Sequence, residues 1–172
     1  MGGFETSIVV RRPLEEVAAY LSDLQNDPQW RREWADAEPC SAGPLGVGTT
    51  TALLGEFWGR RIKAVYEVAR YEPHRLIEWR TVSGPLPLTF RRGFQEAGAG
   101  TRVTFTYDAQ PSAVLKLVEP LAIRMGRRQL DGDIPALRAI LEGKEASQAE
   151  AADRTDPATR AGTRRTKRVE AR

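Results

Sequence analysis

The order of the predicted elements along this chain constrains its fold more than any single motif. An apolar, β-branched segment over residues 4–10 predicts a strand, which leads into an amphipathic helix over residues 13–21. Strand-like segments with no helix among them follow from about residue 49 to residue 109, and a long apolar helix pattern covers residues 112–141. This order predicts an α+β fold, in which a curved antiparallel β-sheet wraps around a long C-terminal α-helix and encloses a cavity.

Two short helices are predicted after the first strand. Pro13 suits the first turn of one helix, and the turn at residues 26–28 (NDP) is a start signal for a second helix over residues 29–34. Trp30 and Trp34 are four residues apart and would share one face of that second helix.

The segments between residues 60 and 107 alternate apolar and polar residues with turns between them. This pattern predicts consecutive antiparallel strands with one apolar face, and the closing helix is the layer available to cover that face. Gly132 and Pro135 are poor residues for a helix interior, so we expect the closing helix to kink or break between them.

The chain of 172 residues fits one domain, predicted over residues 1–142. The stretch after Gly143 is rich in Ala, Glu, Arg and Thr without apolar periodicity, and it predicts a disordered basic tail over residues 143–172. That tail holds eight Lys and Arg against five Asp and Glu, which accounts for the whole net charge of +3. The basic balance therefore gives no reason to expect a specific nucleic-acid partner. The basic run at residues 164–168 is either a solubilising tail or a nonspecific contact with nucleic acid or anionic lipid.

The single cysteine, Cys40, cannot form an internal disulfide, which fits a reducing compartment. No apolar run reaches the roughly 18 residues that span a bilayer, and the N-terminus lacks a signal-peptide pattern. We expect a cytoplasmic protein without a membrane span, either a monomer or a homodimer.

Arg92 is the charged residue that the strand pattern places on the apolar face, between Phe90 and Phe94. A guanidinium there must be paired or reach water. Three arrangements are open: Arg92 points inward to a ligand, it points inward and pairs with an internal acid, or a bulge turns it outward.

The same pattern indicates which residues line the predicted cavity. Core packing alone also explains such residues, but a buried tyrosine hydroxyl needs a partner, which a ligand carbonyl, a water or Arg92 would provide. The candidate ligand-binding residues are Trp34, Tyr66, Trp79, Phe90, Arg92, Phe105, Tyr107, Leu121 and Met125.

Catalytic and metal-binding patterns are missing from the sequence. His74 is the one histidine and lies in a predicted turn, and Cys40 has no visible partner base. No cluster of ligands predicts a metal site, and we expect no cofactor. As patterned, the interior offers no carboxylate, because Glu67 and Glu78 fall on the outward face.

The chain resembles the polyketide cyclase/dehydrase-like branch of the START-like (SRPBCC, helix-grip) superfamily. The resemblance rests on the opening strand with residues 12–17 (RPLEEV), the short second helix ending in Trp34, and the glycine-rich loop at 43–49. Further matches are residues 71–76 (YEPHRL), the hairpin at 98–104 and the closing helix. It covers roughly residues 4–142. It implies a helix-grip fold with two short helices after the first strand and an apolar cavity between the sheet and the C-terminal helix.

The resemblance also implies two functions. In the first, the cavity binds a small hydrophobic or aromatic ligand, lipid- or polyketide-like, as a carrier or sensor. In the second, a polyketide cyclase/dehydratase-type enzyme uses the same cavity, with Arg92 stabilising an enolate and Tyr66 or Tyr107 donating a proton. The missing interior base favours binding over catalysis.

Overall fold

A computed structural model of the protein describes residues 2–57, 59–109 and 119–154. Its strands are β1 (Gly2–Val10), β2 (Trp34–Pro39), β3 (Thr50–Phe57), β4 (Arg60–Glu72), β5 (Leu76–Ser83), β6 (Leu88–Ala97) and β7 (Gly100–Ala109). Its helices are α1 (Leu14–Ser22), a 3₁₀ helix (Leu24–Gln29) and α2 (Glu119–Arg154).

The strands form one seven-stranded antiparallel sheet in the order β1-β7-β6-β5-β4-β3-β2. Neighbours from β2 to β7 are consecutive in the chain, whereas β1 pairs with β7 from Gly2↔Ala109 to Val10↔Thr101. The predicted α+β class with a curved antiparallel sheet and a C-terminal helix is confirmed.

Strand alternation decides which side chains face the concave side of the sheet. On β6, Phe90, Arg92 and Phe94 are buried, and on β7 the same holds for Val103, Phe105 and Tyr107. The hydrophobic core lies between this face, α1, the 3₁₀ helix and α2.

The predicted second helix over residues 29–34 is wrong. The 3₁₀ helix ends at Gln29, Trp30 caps it, and Trp34 begins β2 opposite Gly55 of β3. Asp23 caps the start of the 3₁₀ helix, because its carboxylate accepts a hydrogen bond from the backbone N–H of Gln25 at 2.9 Å. The tryptophans therefore do not share a helical face.

Of the two outcomes predicted for the closing helix, the break is wrong, because α2 is continuous through Gly132 and Pro135 to Arg154; the kink stays a prediction. Buried Leu130 on one side of the proline and Leu137 and Leu141 on the other hold the helix to the core. Residues 112–118, where the sequence predicts the helix to begin, lie outside the described residues. The tail predicted as disordered from residue 143 is instead helical up to Arg154, as a continuation of α2, and the rest of it lies outside the described residues. Within the described part, no helix is long and apolar enough to cross a bilayer.

Candidate functional site

Arg92 points into the core and is fully buried. Its guanidinium donates from Nη1 to Asp27 Oδ1 at 2.9 Å and from Nη2 to Asp27 Oδ2 at 2.6 Å. Nη1 also donates to the carbonyl of Leu21 at 2.7 Å. The structure thus has the second of the three arrangements, in which Arg92 pairs with an internal acid.

Aromatic rings surround this ion pair. The Arg92 guanidinium carbon lies 5.4 Å from the ring centre of Trp30, 5.2 Å from that of Trp79 and 5.9 Å from that of Phe105. These distances allow cation–π attraction in a site from which water is excluded. Arg92 and Phe105 therefore help to hold the 3₁₀ helix against the sheet, rather than lining a ligand site.

The other predicted aromatic residues, together with Phe4, which the prediction did not include, form what we call the aromatic layer: Phe4, Trp34, Tyr66, Trp79, Phe90 and Tyr107. Phe90 is at its centre, stacked on Trp79 at 4.9 Å and on Tyr107 at 5.7 Å between ring centres. Tyr66 meets Phe90 edge-on at 5.1 Å and Trp34 at 6.4 Å, and Phe4 stacks on Tyr107 at 4.9 Å.

The sheet register produces the aromatic layer. Trp79 is directly opposite Phe90, Phe90 is opposite Tyr107, and Tyr107 is opposite Phe4. Residues that are directly opposite in antiparallel strands put their side chains on the same face at about 5 Å. Four neighbouring strands therefore present one continuous aromatic surface on the concave side.

Tyr66 has a polar group inside this apolar surface. The residue is 6% exposed, and its hydroxyl has no hydrogen-bond partner among the described residues. Burial raises the pKa of the Tyr66 hydroxyl well above its ordinary value, although the nearby Arg31 opposes the shift. The hydroxyl thus stays protonated and is able to donate a hydrogen bond.

Arg31 contacts Tyr107, the second tyrosine of the aromatic layer. Its Nη1 donates to the Tyr107 hydroxyl at 2.6 Å, and its Nη2 pairs with Glu33. Burial alone would lower the pKa of Arg31, but Tyr107, Glu33 and Asp27 raise it above its ordinary value. A permanent positive charge therefore lies beside the Tyr107 hydroxyl.

Helix α2 adds a buried carboxylate to this group. Arg32 donates from Nε to Asp133 Oδ1 at 2.7 Å, while Asp133 Oδ2 has no hydrogen-bond partner among the described residues and lies 4.0 Å from Arg31 Nε. Gln129 of α2 donates to Glu33 at 3.1 Å.

Sequence reasoning missed these charged residues. The prediction that the interior holds no carboxylate is wrong, because Asp27 and Asp133 are buried and the Glu33 side chain is 9% exposed. The adjacent charges at residues 31–33 were the available signal, but a predicted short helix there gave them no inward direction.

Leu121 and Met125 do not join the aromatic layer. Leu121 is 60% exposed and Met125 is 38% exposed. With 3.6 residues per turn, both lie on the side of α2 opposite Leu130 and Leu137, which face the core. The helix pattern therefore assigned these two residues to the wrong face.

A cavity of about 420 Å³ opens elsewhere on the concave side. Its walls come from the end of α1, the start of the 3₁₀ helix, the loop between β2 and β3, and strands β3 to β5. Trp79 is the one predicted site residue among its described walls, and the described part of α2 contributes none.

Most of the chain matches a known protein family. The model of the family described as polyketide cyclase / dehydrase and lipid transport matches residues 1–142. No curated protein matches the sequence.

Solved structures show the same fold at low sequence identity. A START superfamily protein from Mycobacterium smegmatis superposes with a TM-score of 0.71 at 17% identity, covering 82% of this chain and 97% of its own. A protein from Thermus thermophilus gives 0.69 at 15% identity, covering 83% and 99%. The Zhui aromatase/cyclase from a Streptomyces species gives 0.61 at 16% identity, covering 88% and 97%.

Proposed function

The chain belongs to the polyketide cyclase/dehydrase and lipid transport family, and from this premise we propose that it binds a small hydrophobic or aromatic molecule against the aromatic layer, beneath α2. The ligand is lipid- or polyketide-like, and the protein holds it as a carrier or sensor. Arg92 is not part of this site, because its charge is already paired with Asp27.

The Tyr66 hydroxyl is the observation that carries this proposal. It is a hydrogen-bond donor in a surface of packed rings, and the described residues give it no partner. A ligand with an apolar ring and one carbonyl or hydroxyl oxygen would cover the rings and accept that hydrogen bond. The Arg31–Tyr107 pair offers a second polar contact at the other side of Phe90.

Binding of 2-naphthol and naphthalene tests the role of Tyr66. The two molecules share their rings and differ in one hydroxyl. Substitution Tyr66→Phe removes a single hydrogen bond, so we expect it to weaken 2-naphthol binding by about tenfold and to leave naphthalene binding unchanged. Isothermal titration calorimetry or displacement of a fluorescent apolar dye measures both affinities.

Tyr20→Phe is the matched control, because the Tyr20 hydroxyl bonds to Gln29 outside the aromatic layer. It should leave both affinities unchanged. If neither naphthalene nor 2-naphthol binds, the hydrophobic site itself is refuted. If both bind and Tyr66→Phe changes neither, the site stands but its polar contact is wrongly assigned.

A second candidate function, catalysis of the cyclase/dehydratase type, is favoured by Asp133. Its Oδ2 is a buried carboxylate oxygen without a hydrogen-bond partner among the described residues. Such an oxygen is a candidate general base, and Arg31 with the Tyr107 hydroxyl would stabilise an enolate formed from a bound polyketone.

Turnover of a poly-β-ketone mimic separates the two functions. Catalysis predicts turnover in the wild-type protein and a loss of at least about a hundredfold in Asp133→Asn, with the mimic still bound. Binding without any turnover in the wild-type protein excludes the enzyme and leaves the carrier or sensor.

Cys40 supports the proposed cytoplasmic location. It is an exposed free thiol, which a reducing compartment tolerates.

A further inference from the structure

We propose that the 420 Å³ cavity beside α1 is a second binding site, which takes a compact, uncharged molecule carrying several hydroxyl groups, such as a monosaccharide. This site adjoins the aromatic layer at Trp79 but does not depend on the proposed function there. It shares only Trp79 with the residues predicted to bind the hydrophobic ligand.

The walls of the cavity divide into an apolar part and a polar part. Leu24, Leu45, Val68 and Trp79 form most of the apolar part. The polar part is made of hydroxyl, carboxylate and amide side chains: Ser22, Asp23, Gln25, Ser41, Thr49, Thr51 and Tyr71. A sugar ring has the same division, with C–H groups on its faces and hydroxyls around its edge.

Two of the hydroxyls belong to buried residues and have no partner among the described residues. Ser22 is 5% exposed and Thr51 is 8% exposed, and neither side chain has a hydrogen bond to another described residue. Both line the cavity, from α1 on one side and from β3 on the other. Neither hydroxyl oxygen is among the fully buried polar atoms of the described residues. Both are therefore accessible from the cavity, and an occupant with hydroxyl groups is able to bond to both.

The loop side of the cavity is held in place by its own hydrogen bonds. The Ser41 hydroxyl accepts from the Thr50 N–H at 2.9 Å, and the Thr49 hydroxyl accepts from the Gly46 N–H at 3.0 Å. Because these bonds fix the loop between β2 and β3, ordering the loop costs little free energy when a ligand binds.

Charge selects the class of ligand. Among the described residues that line the cavity, Asp23 is the one with a charge, and no Lys, Arg or His accompanies it. Its Oδ1 accepts from the Gln25 N–H, and its Oδ2 has no partner among the described residues. A ligand hydroxyl is able to donate to Oδ2, whereas a ligand carboxylate or phosphate is repelled. The volume is also within the range of small-molecule sites, about 300–1,000 Å³.

Glucose and glucuronate are the matched probes for this site, because they differ by one carboxylate. We expect glucose to bind in the millimolar range, with saturable shifts of the Ser22 and Thr51 amide signals in ¹⁵N–¹H NMR spectra. Glucuronate should bind at least about tenfold more weakly. Absence of saturable shifts with glucose, or equal binding of glucuronate, would overturn the proposal.

The variants Ser22→Ala and Thr51→Val each remove one hydroxyl and nearly keep the side-chain shape. Together they should weaken glucose binding by at least about tenfold. Thr104→Val changes a half-buried hydroxyl on another strand and should leave binding unchanged. Glucose binding that the double variant does not alter would refute the assigned contacts.

A second variant fills the space without touching a polar group. Leu45→Trp puts a large ring into the cavity from its loop and should abolish glucose binding while naphthalene binding continues. Conversely, Tyr66→Phe should leave glucose binding unchanged, so failure of one site is distinguishable from failure of the other. Glucose binding that survives Leu45→Trp would place it outside the cavity.

Discussion

The buried ion pair between Arg92 and Asp27 makes the stability of the core depend on each of these two residues. Each is held by the other, and both are withdrawn from solvent among the rings of Trp30 and Trp79. A buried ion pair adds little net stability as a pair, but loss of one partner leaves an uncompensated charge in the core.

Arg92→Leu should therefore lower the free energy of unfolding by about 3–5 kcal/mol. The folded fraction should still bind naphthalene, because Arg92 serves the core rather than the aromatic layer. Urea denaturation measures the first effect, and titration at low temperature measures the second.

The double variant Arg92→Leu, Asp27→Leu is the control, since it removes both charges. It should recover most of the lost stability. A single variant that costs less than about 1 kcal/mol would contradict the described pairing.

Tyr66 makes stability depend on alkaline pH. Its pKa is raised from 10.0 by burial, so the folded protein holds the hydroxyl proton more tightly than the unfolded chain does. This contribution is complete below about pH 10 and is lost as the pH rises above that value.

Tyr66→Phe should consequently lose less stability than the wild-type protein between about pH 9 and pH 11. Urea midpoints at each pH give the comparison. Burial and Asp27 also raise the pKa of Tyr20, to about 12, and this group remains in both proteins. Parallel pH profiles for the two proteins would show that Tyr66 ionises as it does in the unfolded chain.

At the scale of elements, the alternation of apolar and polar residues predicted the strands. It did not predict structure that depends on contacts between residues far apart in the chain. Alternation correctly gave β6 its inward residues, Arg92 included, because the pleat fixes side-chain direction. The partner Asp27 was not predictable, because it lies 65 residues away in a 3₁₀ helix. Strand β2 consists mainly of Ala, Asp, Glu and Pro, which are depleted in strands, and its extended state comes from pairing with β3.

Gly55 is required where β3 passes β2. A Cβ at this position would overlap the backbone carbonyl of Glu33 and lie 2.9 Å from the ring of Trp34. Gly55→Ala should destabilise the fold by about 1–3 kcal/mol, as measured by thermal or urea unfolding. Gly46→Ala, which meets nothing within 4 Å, should change stability by no more than about 0.5 kcal/mol.

Pro135 weakens α2 from within. A proline inside a helix removes one backbone hydrogen bond and crowds the carbonyl four residues before it, yet α2 continues through Pro135. Pro135→Ala should raise the free energy of unfolding by about 1–3 kcal/mol. Pro120→Ala, in the first turn of α2 where proline is tolerated, should have almost no effect on the same measurement.

At the scale of the whole molecule, the predicted division at residue 142 is testable by truncation. Leu141 is the last buried residue among the side chains that the structure describes. A chain ending at Gly143 should unfold at the same urea concentration as the full chain. A chain ending at Ala136 lacks the buried residues Leu137 and Leu141, so its free energy of unfolding should be lower than that of the full chain by about 3–6 kcal/mol. If both truncated chains lose the same stability, the domain extends beyond residue 142.

The pairing of β1 with β7 has a consequence for how the protein is made. Every other strand pairs with a neighbour in sequence, but β1 must wait for a partner about a hundred residues later. During synthesis, hairpins from β2 to β6 are able to form as they leave the ribosome, whereas the first strand stays unpaired until β7 has emerged. Closure of this long loop is the slow, entropically costly step, and it leaves an apolar strand open to chaperones and to association with other nascent chains.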